Sequence, residues 1–200
     1  MLDKNLLLVD IGGTNIRYAY SNIGDSDFVS ENKAELDSLN DFDNLISMLL
    51  ADSCVKNIVF SVAGPKVNNS IKMTNRNFEI DADEIRKRFN LESCYLLNDW
   101  ESIGYSIRTF AENDFDTFKE GEPFNDTFLV IGPGTGLGAS VISGNNVIAT
   151  EIGNTNLGLS ALKSLLEINS DEFNVLEDVI SGTGISRMFE TKTGNKVKSE

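Results

Sequence analysis

The sequence predicts an α/β fold of two similar lobes, the second incomplete in this chain. Three observations carry that reading. "LVDIGGTNI" at 8–16 and "LVIGPGTGL" at 129–137 match at Leu, Val, Gly, Thr and a closing Ile or Leu, 121 residues apart from Leu8 to Leu129. Such a repeat is better explained by two similar lobes than by chance. After the first copy, strand-like runs alternate with helical spacing, as in α/β units. The first lobe also runs 89 residues from Asp10 to Asp99, a distance that from Ile131 passes beyond Glu200.

Each element has a local reason. Residues 5–11 are an apolar strand, "IRYAYSNI" (16–23) a second, and "FVSENKAEL" a candidate third. Phe42, Leu45, Ile46, Leu49 and Leu50 fall at helical spacing and predict a helix over 41–52. "KNIVFSVAGP" is a strand ending in a Gly-Pro turn, and "SIKMTNRNF" a strand or hairpin arm. In "DADEIRKRFN", Asp81 with Glu84 three positions on resembles a capping box. "SCYLLND" is a strand and "WESIGYSIRTF" its following helix. Polar, acidic residues 111–126 form a connector between a lobe at 1–110 and the start of a second at 127–200. Hairpins follow, with a tight turn at Gly144-Asn145-Asn146, and then helices over 159–167 and about 174–192.

Composition narrows the function classes. Seventeen basic against 31 acidic residues give a net charge of −14, which argues against a nucleic-acid-binding surface. The cluster Arg86-Lys87-Arg88 reads as the solvated face of a short helix. The chain has no histidine, which removes His-assisted nucleophilic catalysis and most catalytic zinc sites. Cys54 and Cys94 are too few for a disulfide framework; beside apolar strands, both read as buried free thiols. "MLDKNLLLVDIGG" is neither a signal peptide nor a membrane span, so the expected setting is cytoplasmic, with no membrane partner.

The two Gly-Thr turns are the candidate chemistry. Glycines permit positive φ and let backbone N–H groups approach an anion. A plain hairpin explains either turn alone, but two at repeat-related positions suit a nucleotide's β- and γ-phosphates. The chain has no P-loop, and "GPGTGLG" is followed by strand residues rather than the helix of a dinucleotide fingerprint. Asp10, beside the first turn, either binds phosphate through Mg²⁺ or caps the turn. Asn98 and Asp99 close a buried strand, where open α/β sheets bind ligands. Asp99 is either a general base for a substrate hydroxyl attacking the γ-phosphate or the N-cap of the next helix.

Taken in order, "VDIGGTNIRYAY", "VAGPKVNNSIKMTNRNFEID", "LLNDWESIGYSI", "VIGPGTGLGAS" and "EDVISGTGISRMF" resemble the motifs of bacterial glucokinases, over essentially all 200 residues. That family belongs to the sugar kinase, Hsp70 and actin superfamily. The resemblance implies an actin-like (ribonuclease H-like) two-lobed sugar kinase fold. It implies ATP-dependent phosphorylation of a hexose, glucose first, at the 6-hydroxyl, giving hexose 6-phosphate and ADP as the first step of glycolysis. Asp99 would be the base, with Asn98, Asp99, Glu151, Glu177 and Asn75 bonding the sugar. Asp10, Gly12, Gly13, Thr14, Asn15, Gly134, Thr135 and Gly136 would hold the ATP phosphates and Mg²⁺, with Asp10 toward the metal. From the residues alone, Glu151 also reads as an exposed strand end and Glu177 as a helix-surface charge. A homodimer is also implied.

Two departures stand out. The family usually has Glu-Gly-Gly-His where this chain has "EIGN" at 151–154, so Asn154 stands at the place of a sugar-contacting His. Asn donates and accepts but cannot become a cation, so the preferred hexose can shift. Family chains also run past this C-terminus. A non-catalytic sugar-binding or regulatory protein is the rival reading, which the intact Asn98-Asp99 corner counts against.

Overall fold

In the computed structural model, strand β1 (Leu6–Ile11) follows the alternation of its sequence: Leu7, Val9 and Ile11 are buried, while Asp10 faces outward. The structure describes residues 3–12, 15–35, 39–51, 53–73, 79–122 and 125–197. The chain divides into two units, Met1–Ser102 and Ile103–Glu200.

In the first unit, β1 turns back antiparallel into β2 (Asn15–Ser21), which pairs with β3 (Val29–Glu35). Helix α1 (Leu39–Ala51) returns the chain to β4 (Asn57–Val62), parallel to β1. A small sheet of β5 (Lys66–Val67), β6 (Ser70–Lys72) and β7 (Glu79–Asp81) then leads to α2 (Ala82–Arg88). Strand β8 (Ser93–Asn98) pairs parallel to β4 and runs into α3 (Asp99–Ser106). The main sheet has the order β3-β2-β1-β4-β8.

One face of that sheet carries the core. Phe42, Leu45, Ile46 and Leu49 of α1 are buried, each stabilising the fold by about 1.5–3 kcal/mol relative to exposure. Phe42 meets Phe60 of β4 with ring centroids 5.7 Å apart. Asp81 caps α2 by accepting the N–H groups of Asp83 (2.8 Å) and Glu84 (2.9 Å). Arg86, Lys87 and Arg88 are solvent-facing, and Arg88 pairs with Asp43. Cys94 lies in this core, where burial first, with the nearby Asp83 carboxylate, pushes its thiol up to about 12. The expectation that both thiols are buried fails for Cys54. It sits in the irregular turn between α1 and β4, not on a strand.

The second unit begins with a three-stranded antiparallel sheet, β9 (Thr127–Pro133), β10 (Leu137–Ser143) and β11 (Asn146–Thr150), with β10 central. Gly144, at φ +54°, and Asn145 make the tight turn, while Asn146 already belongs to β11. Helix α4 (Leu159–Leu165) follows, and the helix expected over 174–192 is two helices, α5 (Glu177–Ile180) and α6 (Gly182–Thr193). The break is at Ser181, which is extended (φ −82°, ψ 165°) and caps α6 by accepting the Gly184 N–H at 2.9 Å. Leu159, Ile168, Phe173 and Val179 form the core of these helices.

Candidate active site

The first unit gathers its polar groups at one edge of the sheet. In the parallel ladder Asp10 lies beside Ser61, Ser61 beside Leu97, and Val62 beside Asn98. Asp10, the β1–β2 turn and the Asn98-Asp99 corner therefore share the edge where parallel strands end, the usual ligand edge of such sheets. Asp10 is exposed and accepts a 3.2 Å hydrogen bond from Ser61 Oγ. Gly12 donates its N–H to the Asn15 carbonyl at 3.0 Å, closing the hairpin. Gly13, Thr14 and Asn75 lie outside the described residues.

The corner itself is tightly bonded. Asn98 Oδ1 accepts the N–H groups of Trp100 (3.0 Å) and Glu101 (3.3 Å), so Asn98 is the cap of α3. Its Nδ2 donates to the Gly64 carbonyl at 3.0 Å, using one of the amide's two protons. Gly64 is itself at φ +145°, where a Cβ would lie 2.9 Å from the Lys72 carbonyl oxygen. Glu101 Oε2 accepts the Asn98 N–H at 3.1 Å, completing a reciprocal capping box. Lys66 Nζ holds the Glu101 carboxylate at 2.9 and 3.1 Å. Asp99 is the first residue of the helix and is half-buried, and its Oδ1 accepts the Trp100 N–H at 2.9 Å.

In the second unit the Gly134-Thr135-Gly136 turn joins β9 to β10. Gly134 donates to the Gly136 carbonyl at 2.9 Å. From α6, Gly182 donates its N–H to the Gly134 carbonyl (2.8 Å) and Thr183 its hydroxyl to the Thr135 carbonyl (3.1 Å). From α5, Glu177 Oε2 accepts the Leu137 N–H at 2.8 Å. Glu151 is the N-cap of a one-turn helix (Ile152–Asn154) that ends at Asn154, and the two bond to each other, Asn154 Nδ2 donating to Glu151 Oε2 at 3.1 Å. Both are exposed, whereas Glu177 is half-buried. Next to Glu177, Asp178 accepts the N–H groups of Asn174 and Val175 and pairs with Arg187. The Asn174 N–H bond above all holds its carboxyl below the usual range.

Several of these residues were not anticipated. Glu101 had a signal, since Asn98-x-x-Glu101 is a capping-box spacing. Thr183 lay in the quoted "SGTG" stretch without an assigned role. Lys66 and Ser61 had no sequence signal. Among the described residues, no three His, Cys, Asp or Glu side chains cluster as a metal site. A single carboxylate such as Asp10 suits a magnesium ion that takes its other ligands from phosphate and water.

Solved structures share this arrangement of strands and helices. The structure of glucokinase from an Antarctic psychrotroph aligns with a TM-score of 0.71 at 24% identity, over 99% of this chain and 67% of that one. A ROK family glucokinase from Streptomyces griseus, in complex with glucose and AMPPNP, aligns with a TM-score of 0.62 at 20% identity, over 94% of this chain and 62% of that one. The fold is thus the actin-like fold of the sugar kinases. The glucokinase family model matches residues 7–200, and the chain belongs to that family. Glucokinase of Nostoc punctiforme is 28% identical over 212 residues, covering 98% of this chain. The chain spans 62% of that relative's length.

Proposed function

We propose that the protein transfers the γ-phosphoryl group of ATP to the 6-hydroxyl of a hexose, glucose in first place, giving hexose 6-phosphate and ADP. The observation that carries this is the Asn98-Asp99 corner, capped and braced at the ligand edge of the sheet in a chain of the glucokinase family. Asp99 takes the hydroxyl proton as the sugar oxygen attacks phosphorus, and the β–γ bridging oxygen leaves with ADP. Asn98, Asn75, Glu151, Asn154 and Glu177 bond the sugar hydroxyls. Gly12, Gly13, Thr14, Asn15, Gly134, Thr135 and Gly136 hold the phosphates, and Asp10 holds Mg²⁺. The ion supplies charge neutralisation on the phosphates.

Asn154 makes the sugar preference an open variable of this chain, because its amide replaces an imidazole and is already bonded to Glu151. Lobes at 1–110 and 127–200, a homodimer and a cytoplasmic setting belong to the same reading. The test is ADP release with Mg-ATP and a panel of hexoses, for the complete protein and its Asp99→Asn variant. Turnover that falls about 10²–10⁴-fold in the variant, with sugar binding retained, supports the reading. Sugar binding without turnover in the unmodified protein overturns it in favour of a sugar-binding regulator.

A further inference from the structure

We propose that Glu177 is a positioning residue for the Gly134-Thr135-Gly136 turn, and that through it a sugar bound at Glu177 stiffens the phosphate-holding turn. The second half of this statement rests on the function proposed above; the first rests on geometry alone.

A turn of two glycines and a threonine, with Gly134 and Thr135 exposed, has little of its own to fix it. Among the described residues, its internal tie is the Gly134–Gly136 bond. Further ties among the described residues come from one stretch of the chain, 177–183: the Gly182 N–H, the Thr183 hydroxyl and the Glu177 carboxylate. Glu177 supplies the charged one, and charge-assisted bonds are the stronger kind.

Its carboxylate is also enclosed by backbone. A Cβ on Gly136 would lie 2.6 Å from Oε2, and one on Gly153 would lie 3.4 Å from Oε2 and 2.5 Å from the Leu137 carbonyl oxygen. The group therefore sits between the phosphate turn and the Glu151–Asn154 turn, with glycine on both sides. The carboxylate has two oxygens, and Oε2 holds Leu137. A sugar hydroxyl donating to Oε1 binds the same rigid group, so the turn and the sugar share one anchor. Coupling of that kind is reciprocal: nucleotide tightens sugar by the factor that sugar tightens nucleotide.

The variants Glu177→Gln and Glu177→Ala separate the roles. A glutamine oxygen still accepts the Leu137 N–H, whereas alanine accepts nothing. In the complete protein without ligands, hydrogen exchange at Leu137 is expected to quicken about tenfold or more in Glu177→Ala and to stay near wild type in Glu177→Gln. AMPPNP binding without sugar is expected to weaken about 5–50-fold in Glu177→Ala only, within the usual range of coupling effects. Thr183→Val, which removes a different tie to the same turn, is expected to act in the same direction more weakly. Unchanged Leu137 exchange in a folded Glu177→Ala protein overturns the positioning role. Faster exchange with unchanged AMPPNP affinity overturns the link to the nucleotide. If the unmodified protein binds no AMPPNP, the kinase reading fails, and exchange alone decides the positioning role.

Discussion

The bracing of the Asn98-Asp99 corner makes a sharp stability prediction at Glu101. Its carboxylate does two things: Oε2 accepts the Asn98 N–H at 3.1 Å, and both oxygens take Lys66 Nζ at 2.9 and 3.1 Å. The two functions differ in cost because their surroundings differ. Asn98 is 7% exposed, so its amide has poor access to water once the acceptor is gone. That loss costs about 1–3 kcal/mol. The Lys66 side chain is 27% exposed and can turn its ammonium into solvent, so losing its partner adds about 1 kcal/mol or less.

Glu101→Ala removes both and should destabilise by about 2–3 kcal/mol, a melting temperature lower by about 5–10 °C for a chain of this size. Glu101→Gln keeps an oxygen for the Asn98 N–H and gives up only the charge, so it should cost about 1 kcal/mol or less. Urea unfolding at neutral pH, followed by circular dichroism, measures both. Equal losses in the two variants would show that the ion pair, not the capping box, supports the corner. An alanine variant within about 0.5 kcal/mol of wild type would refute the whole account of the corner.

Three further outcomes are expected. Gly153→Ala should lower the urea midpoint by the equivalent of about 1–3 kcal/mol, because its Cβ meets the Leu137 carbonyl oxygen at 2.5 Å, whereas Gly134→Ala, with nothing within 4 Å, should stay within about 1 kcal/mol. Asp178 has its folded pKa lowered, chiefly by the Asn174 N–H, so its contribution is present above the unfolded carboxylate value of about 3.9 and is lost as pH falls through the folded one. Melting temperatures across the acid range should thus fall less steeply with pH in Asp178→Asn. With a thiol-specific disulfide reagent at mildly alkaline pH, the exposed Cys54 should react fast and the buried Cys94, whose thiol is pushed up to about 12, should wait for unfolding; Cys54→Ser should abolish the fast phase.

What the sequence made legible was whatever is local and periodic. The burial of β1 and α1 follows alternation and helical spacing, and Asp81 caps α2 from a position visible in the sequence. The corner at Asn98-Asp99 was legible because polar residues after an apolar strand have only the strand's end to occupy. The spacing alone does not separate the two cap roles: Asn98 makes the paired cap bonds, while Asp99 is the first helical residue and accepts the Trp100 N–H. Contacts across the chain left no trace. Lys66 meets Glu101 over 35 positions, and Glu177 meets Leu137 over 40. The break at Ser181 does leave a signal, because the apolar stripe changes face there: Val175, Leu176, Val179 and Ile180 fall on one side of a 3.6-residue helix and Ile185, Met188 and Phe189 on the other. The cap of α6 and the Gly182 bond to the Gly134-Thr135-Gly136 turn fix it.

That bond shows why the internal repeat does not make the two turns equivalent. The offset that aligns Leu8 with Leu129 aligns Asp10 with Ile131, so only the first copy has a carboxylate beside its turn. The first copy accordingly offers a hard oxygen for a cation, steadied across the ladder by Ser61. The second has no such group, but its carbonyls at Gly134 and Thr135 are each taken by a donor from α6, and the amide that follows is taken by Glu177. Those bonds orient the turn's backbone without occupying the N–H of Thr135 or of Gly136 in any bond to α5 or α6, which are the groups an anion needs. Under the proposed function, the first turn would add a metal-holding carboxylate to its phosphate contacts, and the second would contribute phosphate contacts alone. Substitutions should divide along the same line, with Asp10 governing dependence on the divalent ion and Glu177 and Thr183 governing the shape of the anion cradle.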